Sequence, residues 1–261
     1  MRPGQAYCRA VAPRRLLLIA LGLIACARSP EPGLDAGPAA SVSAAPRPPP
    51  PPPPVDAGPR CREQRAQDFL LRKHQLARPR SSAAERRAIE AARARSVEYR
   101  TDQYGYFPGV GQRKPGAHSP RYHAETIRLF DLEVTVHRKV VPALRCVQEF
   151  IARACADHPY HPRRITGLRE HNTYQDYEVS NHLYGIAIDL DSDLNPCCGC
   201  VAPWNQNPVC RKKVPSPFER MAMPECWVDA FERHGFYWLG HDELEDTMHF
   251  EFLGDPDRIL E

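Results

Sequence analysis

Seven consecutive prolines, Pro48 to Pro54, set the first limit on how this chain can fold. Proline lacks the backbone N–H that helices and sheets require and fixes φ, so such a run stays in the extended polyproline form. Residues 26–60 around it are rich in Pro and Ala and too poor in large apolar side chains to bury a core. This stretch reads as a tether, rising about 3.1 Å per residue along its prolines. A compact fold must lie beyond it.

Ahead of the tether, residues 1–25 carry Arg2, Arg9, Arg14 and Arg15 with no acid, then the apolar run "LLLIALGLIA". The run is short for a bilayer-spanning helix and has the order of an export signal. Its end, "LIAC", resembles the lipobox of bacterial lipoproteins, which implies lipidation of Cys26 and a mature chain beginning there. An ordinary signal peptide with an incidental cysteine is the alternative. Several acyl chains on one terminus hold a membrane more firmly than a single chain does, so the expected location is the bacterial cell envelope. Ala27 is compatible with outer-membrane sorting, facing the periplasm, in a host with two membranes.

The formal charge of +3 falls to −1 once the signal is removed, which argues against a nucleic-acid partner. Its distribution is uneven: residues 61–100 carry a net +6 and residues 101–261 a net −7. Segment 61–121 is therefore expected to be a basic helical arm and loop ahead of an acidic domain. A solvated helical face or internal charge pairing accounts for the arm, and adhesion to an anionic envelope polymer is the functional alternative.

With Cys8 lost in the signal and Cys26 given to lipid, eight cysteines remain: Cys61, Cys146, Cys155, Cys197, Cys198, Cys200, Cys210 and Cys226. An even number in an exported chain points to disulfides, of unassigned connectivity. Cys146 and Cys155 stand nine residues apart on one helical stretch. Nine steps of about 100° put them on opposite faces, so each is expected to tie the helix to something else. For "CCGCVAPWNQNPVC" a structural zinc knot is the alternative, although its spacing lacks the usual paired CxxC.

Beyond residue 60, Phe69, Leu70 and Leu76 mark one helical segment, "ARPRSS" interrupts it, and Ser82 with Glu85 forms a capping box opening a second. That second helix has little to bury: it packs on the domain by Ile89, Val97 and Tyr99, or it stands largely in solvent. The compact domain is expected from about Tyr122. "FDLEVTV" alternates as a strand, and Val140, Leu144, Val147 and Ile151 form a helical stripe. "RRITGL" and "YGIAIDL" read as strands, residues 218–234 as a helix ended by Gly235, and "FYWLG" and "MHFEFL" as closing strands. Separated strands among helices predict an α+β domain over 122–261, with a small, mostly antiparallel sheet flanked by helices and a disulfide-rich loop.

Alternate residues of a strand share a face. In "YGIAIDL", Gly185, Ala187 and Asp189 point away from Ile186, Ile188 and Leu190; in "MHFEF", His249 and Glu251 point away from Met248, Phe250 and Phe252. Two strands thus each offer a possible metal ligand from a polar face. By spacing alone, a satisfied core histidine or a surface pair explains any one of them equally well.

"SNHLYGIAIDL" followed by "NP", then "GFYWLG" and "DTMHFEF", resembles the zinc-dependent D-alanyl-D-alanine metallopeptidases of bacterial cell walls. This family includes D,D-carboxypeptidases and L-alanyl-D-glutamate endopeptidases, and the similarity runs from about Val136 to Leu253, nearest the endopeptidase branch. By position, the resemblance implies that His182, Asp189 and His249 bind Zn²⁺ on the sheet face, leaving a fourth position for water. It implies that Asp246 is the general base, in preference to the neighbouring Glu243 and Glu245 or to a plain turn aspartate. Arg169 in "TGLRE" matches an arginine that faces substrate, with a surface role as alternative, and Ser180 matches a serine that contacts substrate or buttresses the loop. Glu251 reads as an exposed strand residue, or as an acceptor for the free nitrogen of a ligand histidine.

The pattern departs from the family at Leu239, where glycine is common, at His241, and in the "CCGC" insertion after "NP". These differences touch the substrate cleft more than the metal site. The resulting expectation is a lipid-anchored zinc peptidase acting on the stem peptides of peptidoglycan. A catalytically silent domain of the same fold that binds zinc or cell-wall peptide, and a purely structural lipoprotein, are the competing readings.

Overall fold

A computed structural model of the chain describes residues 60–76, 81–172 and 179–261. The export signal, Cys26 and nearly all of the tether lie outside the described residues, as do residues 77–80, expected to interrupt the first helical segment. Among the described residues no helix is long and apolar enough to cross a membrane.

The basic segment opens with two short 3-10 turns, Asp68–Leu70 and Arg72–His74, where one helix was expected. Helix α1, Ala83–Tyr104, then starts at the anticipated capping box. The Glu85 N–H donates to Ser82 Oγ at 3.2 Å, and the Ser82 N–H donates to Glu85 Oε2 at 2.6 Å. Ile89, Val97 and Tyr99 are only half-buried, and the face turned inward is polar: Ser96, Arg100, Thr101 and Tyr104.

Next comes a hairpin, β1 (Ala124–Leu129) with β2 (Leu132–His137), of which only the second strand was anticipated. Helix α2, Val141–Ala154, buries Leu144, Val147 and Ile151, with Val140 just ahead of it, as the stripe predicts. Each such aliphatic side chain contributes roughly 1.5–3 kcal/mol on burial. The remaining strands, β3 (Ile165–Thr166), β4 (Ala187–Leu190), β5 (Phe236–Trp238) and β6 (His249–Phe252), form one antiparallel sheet in the order β3-β4-β6-β5. This is an α+β fold with small antiparallel sheets and several disulfides. Helix α3 spans Glu225–Arg233, shorter than expected, because Pro224 cannot continue a helix and disfavours helical geometry at the residue before it. Its end at Gly235, with φ +86°, is as predicted.

Segment 60–121 packs against the rest of the described chain. The described residues from 60 to 261 fall in one compact unit. Tyr104 and Leu70 are buried. Near the chain's end, the Arg62 N–H donates to Ile259 O at 2.8 Å and the Glu261 N–H to Arg60 O at 2.9 Å. The disulfide Cys61–Cys146 fastens the same segment to α2, and Cys155–Cys226 fastens the far end of α2 to α3. The two cysteines of α2 do tie it in different directions.

The inserted cluster closes into Cys197–Cys200 and Cys198–Cys210, so no thiolate is left for a zinc knot. Its backbone lies along residues 243–247. The Gly199 N–H donates to Leu244 O at 2.7 Å, Cys197 bridges Asp246, and the Thr247 N–H donates to Pro196 O at 3.2 Å.

Two stability changes follow from these contacts. Replacing both Cys61 and Cys146 with serine is expected to lower unfolding stability by about 2–5 kcal/mol, because the bridge closes a long loop of the unfolded chain. A Cβ on Gly199 would lie 2.4 Å from Glu243 O and 2.7 Å from Leu244 O, both backbone atoms. Gly199→Ala is therefore expected to cost about 1–3 kcal/mol. Urea unfolding at neutral pH checks both values.

Candidate metal centre

The antiparallel register of β4 and β6 places Asp189 directly opposite His249, and Ala187 opposite Glu251. On the same sheet face His182 arrives from a 3-10 turn, Asn181–Tyr184, capped by Ser180, whose Oγ accepts from the His182 N–H at 3.4 Å. Gly185 ends that turn with φ +68°, where a Cβ would lie 2.8 Å from His137 N. Glycine thus lets the chain turn sharply from His182 into the strand bearing Asp189. All three of His182, Asp189 and His249 are buried.

The outer nitrogen of each imidazole has an acceptor. His182 Nδ1 lies 2.6 Å from Gly167 O, and His249 Nε2 lies 3.1 Å from Glu251 Oε1. A backbone carbonyl can only accept, which fixes the proton of His182 on Nδ1; the Glu251 carboxylate likewise draws the His249 proton to Nε2. In the neutral rings the two inner nitrogens then carry lone pairs, and they face one another at 3.2 Å. Asp189 Oδ1 completes the triangle, 3.2 Å from His182 Nε2 and 2.7 Å from His249 Nδ1. Three electron-rich atoms converge on one point.

Such convergence requires positive charge at its centre. Ligands about 2.0–2.1 Å from a tetrahedral ion stand about 3.4 Å apart, close to this triangle. The donor set, two imidazoles and one carboxylate, fits zinc and leaves a coordination position open. The charge balance agrees. Burial alone would depress the imidazolium of His249, yet Asp189 and Glu251 outweigh it and push its pKa up to about 10. Asp189 is held well below the usual carboxylate range: its burial is opposed by His182 and His249. A divalent cation at the inner nitrogens answers the same demand for positive charge.

Around the triangle, Asp189 Oδ2 accepts from Thr166 Oγ1 at 3.2 Å and from the Arg169 guanidinium. Arg169, with 29% of its side chain exposed, thus reaches both the carboxylate and solvent, unlike a plain surface arginine. Ser180 is buried, and its N–H donates to Asn172 Oδ1 at 3.0 Å. Asp246 is buried and its Oδ1 has no hydrogen-bond partner among the described residues. Burial, reinforced by Asp189 and Glu251, lifts its carboxyl to about 7 against the pull of His249 and Arg169. Glu243 is exposed and Glu245 pairs with Arg220.

Glu251 corrects an expectation. It is buried and hydrogen-bonded to His249, not exposed, because both faces of β6 are covered. Its place two residues after His249 was a usable signal once both sheet faces are taken as buried. The support around β4 was less legible. Asp191 Oδ1 accepts from the N–H groups of Arg163 and Arg164, both at 2.8 Å, and its Oδ2 from the Tyr160 hydroxyl at 2.8 Å. Asn195, in the "NP" pair, donates to Leu190 O at 2.8 Å and accepts from the N–H groups of Ala222 and Met223, both at 3.1 Å. Both side chains satisfy buried loop backbone.

Comparison with known proteins gives one family match: residues 174–252 fit the family model described as D-alanyl-D-alanine carboxypeptidase. No curated protein and no solved structure matches the chain. The matched segment contains His182, Asp189, Asp246 and His249. This match, and the buried donor triangle within it, support the zinc D-alanyl-D-alanine metallopeptidase family for this segment.

Proposed function

We propose that this protein is an exported, lipid-anchored zinc peptidase that hydrolyses a peptide bond involving a D-amino acid in the stem peptide of peptidoglycan. The observation that carries the reading is the pair of inner imidazole nitrogens facing each other at 3.2 Å beside Asp189 Oδ1. His182 Nε2, Asp189 and His249 Nδ1 are the atoms to hold Zn²⁺, which when bound polarises a carbonyl and acidifies water.

The other groups have separable tasks. Asp246 Oδ1, buried and without a partner among the described residues, is positioned to take a proton from water and return it to the leaving amine. Arg169 has one N–H on Asp189 while part of its guanidinium reaches solvent. A guanidinium placed there suits a developing oxyanion or a substrate carboxylate. Ser180 caps the turn that carries His182, which supports a buttressing role. The presence of a buried acid in addition to the three ligands favours a working enzyme over a silent binding domain.

Export and anchoring rest on residues 1–25 and Cys26, and they put the domain where its substrate lies. The net +6 of residues 61–100 supports contact with an anionic envelope polymer as an accessory role. Both carboxypeptidase and endopeptidase chemistry are compatible with the site, and products from defined muropeptides, read by mass spectrometry, distinguish them.

The purified protein is expected to bind one zinc per chain and to digest muropeptides. His249→Ala abolishes both, whereas Asp246→Asn keeps the zinc and lowers kcat by about 10²–10⁴. Absence of stoichiometric zinc in the wild type, or undiminished digestion by His249→Ala, rules the reading out. For the anchor, Cys26→Ala is expected to release the protein from membranes and abolish lipid labelling; continued labelling in that variant refutes lipidation at Cys26.

A further inference from the structure

Outside the family match, α1 brings a buried cation to the rear of the metal centre. Arg100 is 4% exposed, although burying a guanidinium is costly unless an opposite charge faces it. Its Nη1 donates to Ser96 Oγ at 2.5 Å and its Nη2 reaches Leu70 O at 3.5 Å, while Nε has no partner among the described residues. None of these contacts is a carboxylate. The missing charge lies across a small cavity of about 30 Å³ that Arg100 shares with Asn181 and Glu251.

Two other arginines line that cavity but are engaged elsewhere. Arg72 Nη1 pairs with Asp242 at 3.0 Å, and Arg93 Nη2 donates to Gln75 O at 2.9 Å. Asn181 Oδ1 is, like Arg100 Nε, buried without a partner among the described residues. A cavity of this size accommodates one water, and this one has the polar atoms a water needs. Glu251 in turn accepts from His249 Nε2. The line runs from a helix of the basic arm, through one carboxylate, to a ligand histidine.

We propose that Arg100 is a positioning residue of the metal centre: through a bridging water and its charge it holds the Glu251 carboxylate against His249, and so sets the affinity of the site for zinc. The arm is on this account part of the site. The inference rests on the zinc reading of His182, Asp189 and His249, and the experiment separates the two.

Zinc affinity is measured by competition with a chromogenic chelator, on purified protein, for wild type, Arg100→Gln, Glu251→Gln and the double variant. Loss of partners behind a ligand histidine commonly weakens metal binding about 10- to 100-fold. Arg100→Gln is expected to weaken zinc binding at least about tenfold while circular dichroism shows the fold retained. Because Arg100 acts through Glu251, adding Arg100→Gln to Glu251→Gln should change affinity little further. Wild-type affinity in a folded Arg100→Gln protein overturns the inference, and so do fully additive effects in the double variant. If Arg100→Gln does not fold, Arg100→Lys is scored by the same assay: weaker binding, lost again in the Glu251→Gln background, supports the role, and unchanged binding refutes it. A wild-type protein that binds no zinc defeats both the zinc reading and this inference; a zinc-binding wild type with an indifferent Arg100 defeats this one alone.

Discussion

The site depends on an unfavourable arrangement made tolerable by its surroundings: the Asp189 carboxylate and two imidazoles packed together out of water. None of the three would be stable there alone, since burying a charge without compensation costs several kcal/mol. Strand pairing puts Asp189 opposite His249. Gly167 O and Glu251 dictate which imidazole nitrogens face inward. Arg169 and Thr166 occupy the outer oxygen of Asp189 and leave Oδ1 for the centre. Most of what surrounds the β4–β6 pair can be understood as fixing these orientations.

Strand alternation marked candidate positions in the sequence, and the family resemblance supplied their chemistry. Asp189 and His249 show themselves as polar positions on the small-residue face of apolar strands, and the helical stripe from Val140 to Ile151 follows from period alone. Other parts could not be read. Gly167 contributes a carbonyl, which every residue possesses. Arg100 lies on a helix whose buried face is polar, so hydrophobic periodicity pointed instead to Ile89, Val97 and Tyr99. For segment 60–121 the sequence shows a basic composition, and charge composition does not report packing. Its attachment comes from a disulfide and from backbone hydrogen bonds near residues 259–261, neither of which leaves a periodic trace.

The inserted cysteine cluster has a comparable logic. It adds no thiolate chemistry, since its sulfurs are paired with one another. Its effect is geometric: the loop lies along residues 243–247, within which Asp246 must hold a buried carboxylate in the absence of a regular strand. The Trp238 indole N–H secures the same segment from the other side, donating to Thr247 O at 3.0 Å. An acid held between a cross-linked loop and a buried indole keeps its position without support from the sheet ladder.

The stitching of Arg60–Arg62 to residues 259–261 bears on mechanics as well as on packing. A pull applied at residue 60 meets the backbone bonds to Ile259 and Glu261, then the covalent link from Cys61 to α2. Tension entering along the chain from its N-terminal side is therefore diverted into a helix and a disulfide. The strands carrying Asp189 and His249 are not the elements that such a pull loads first.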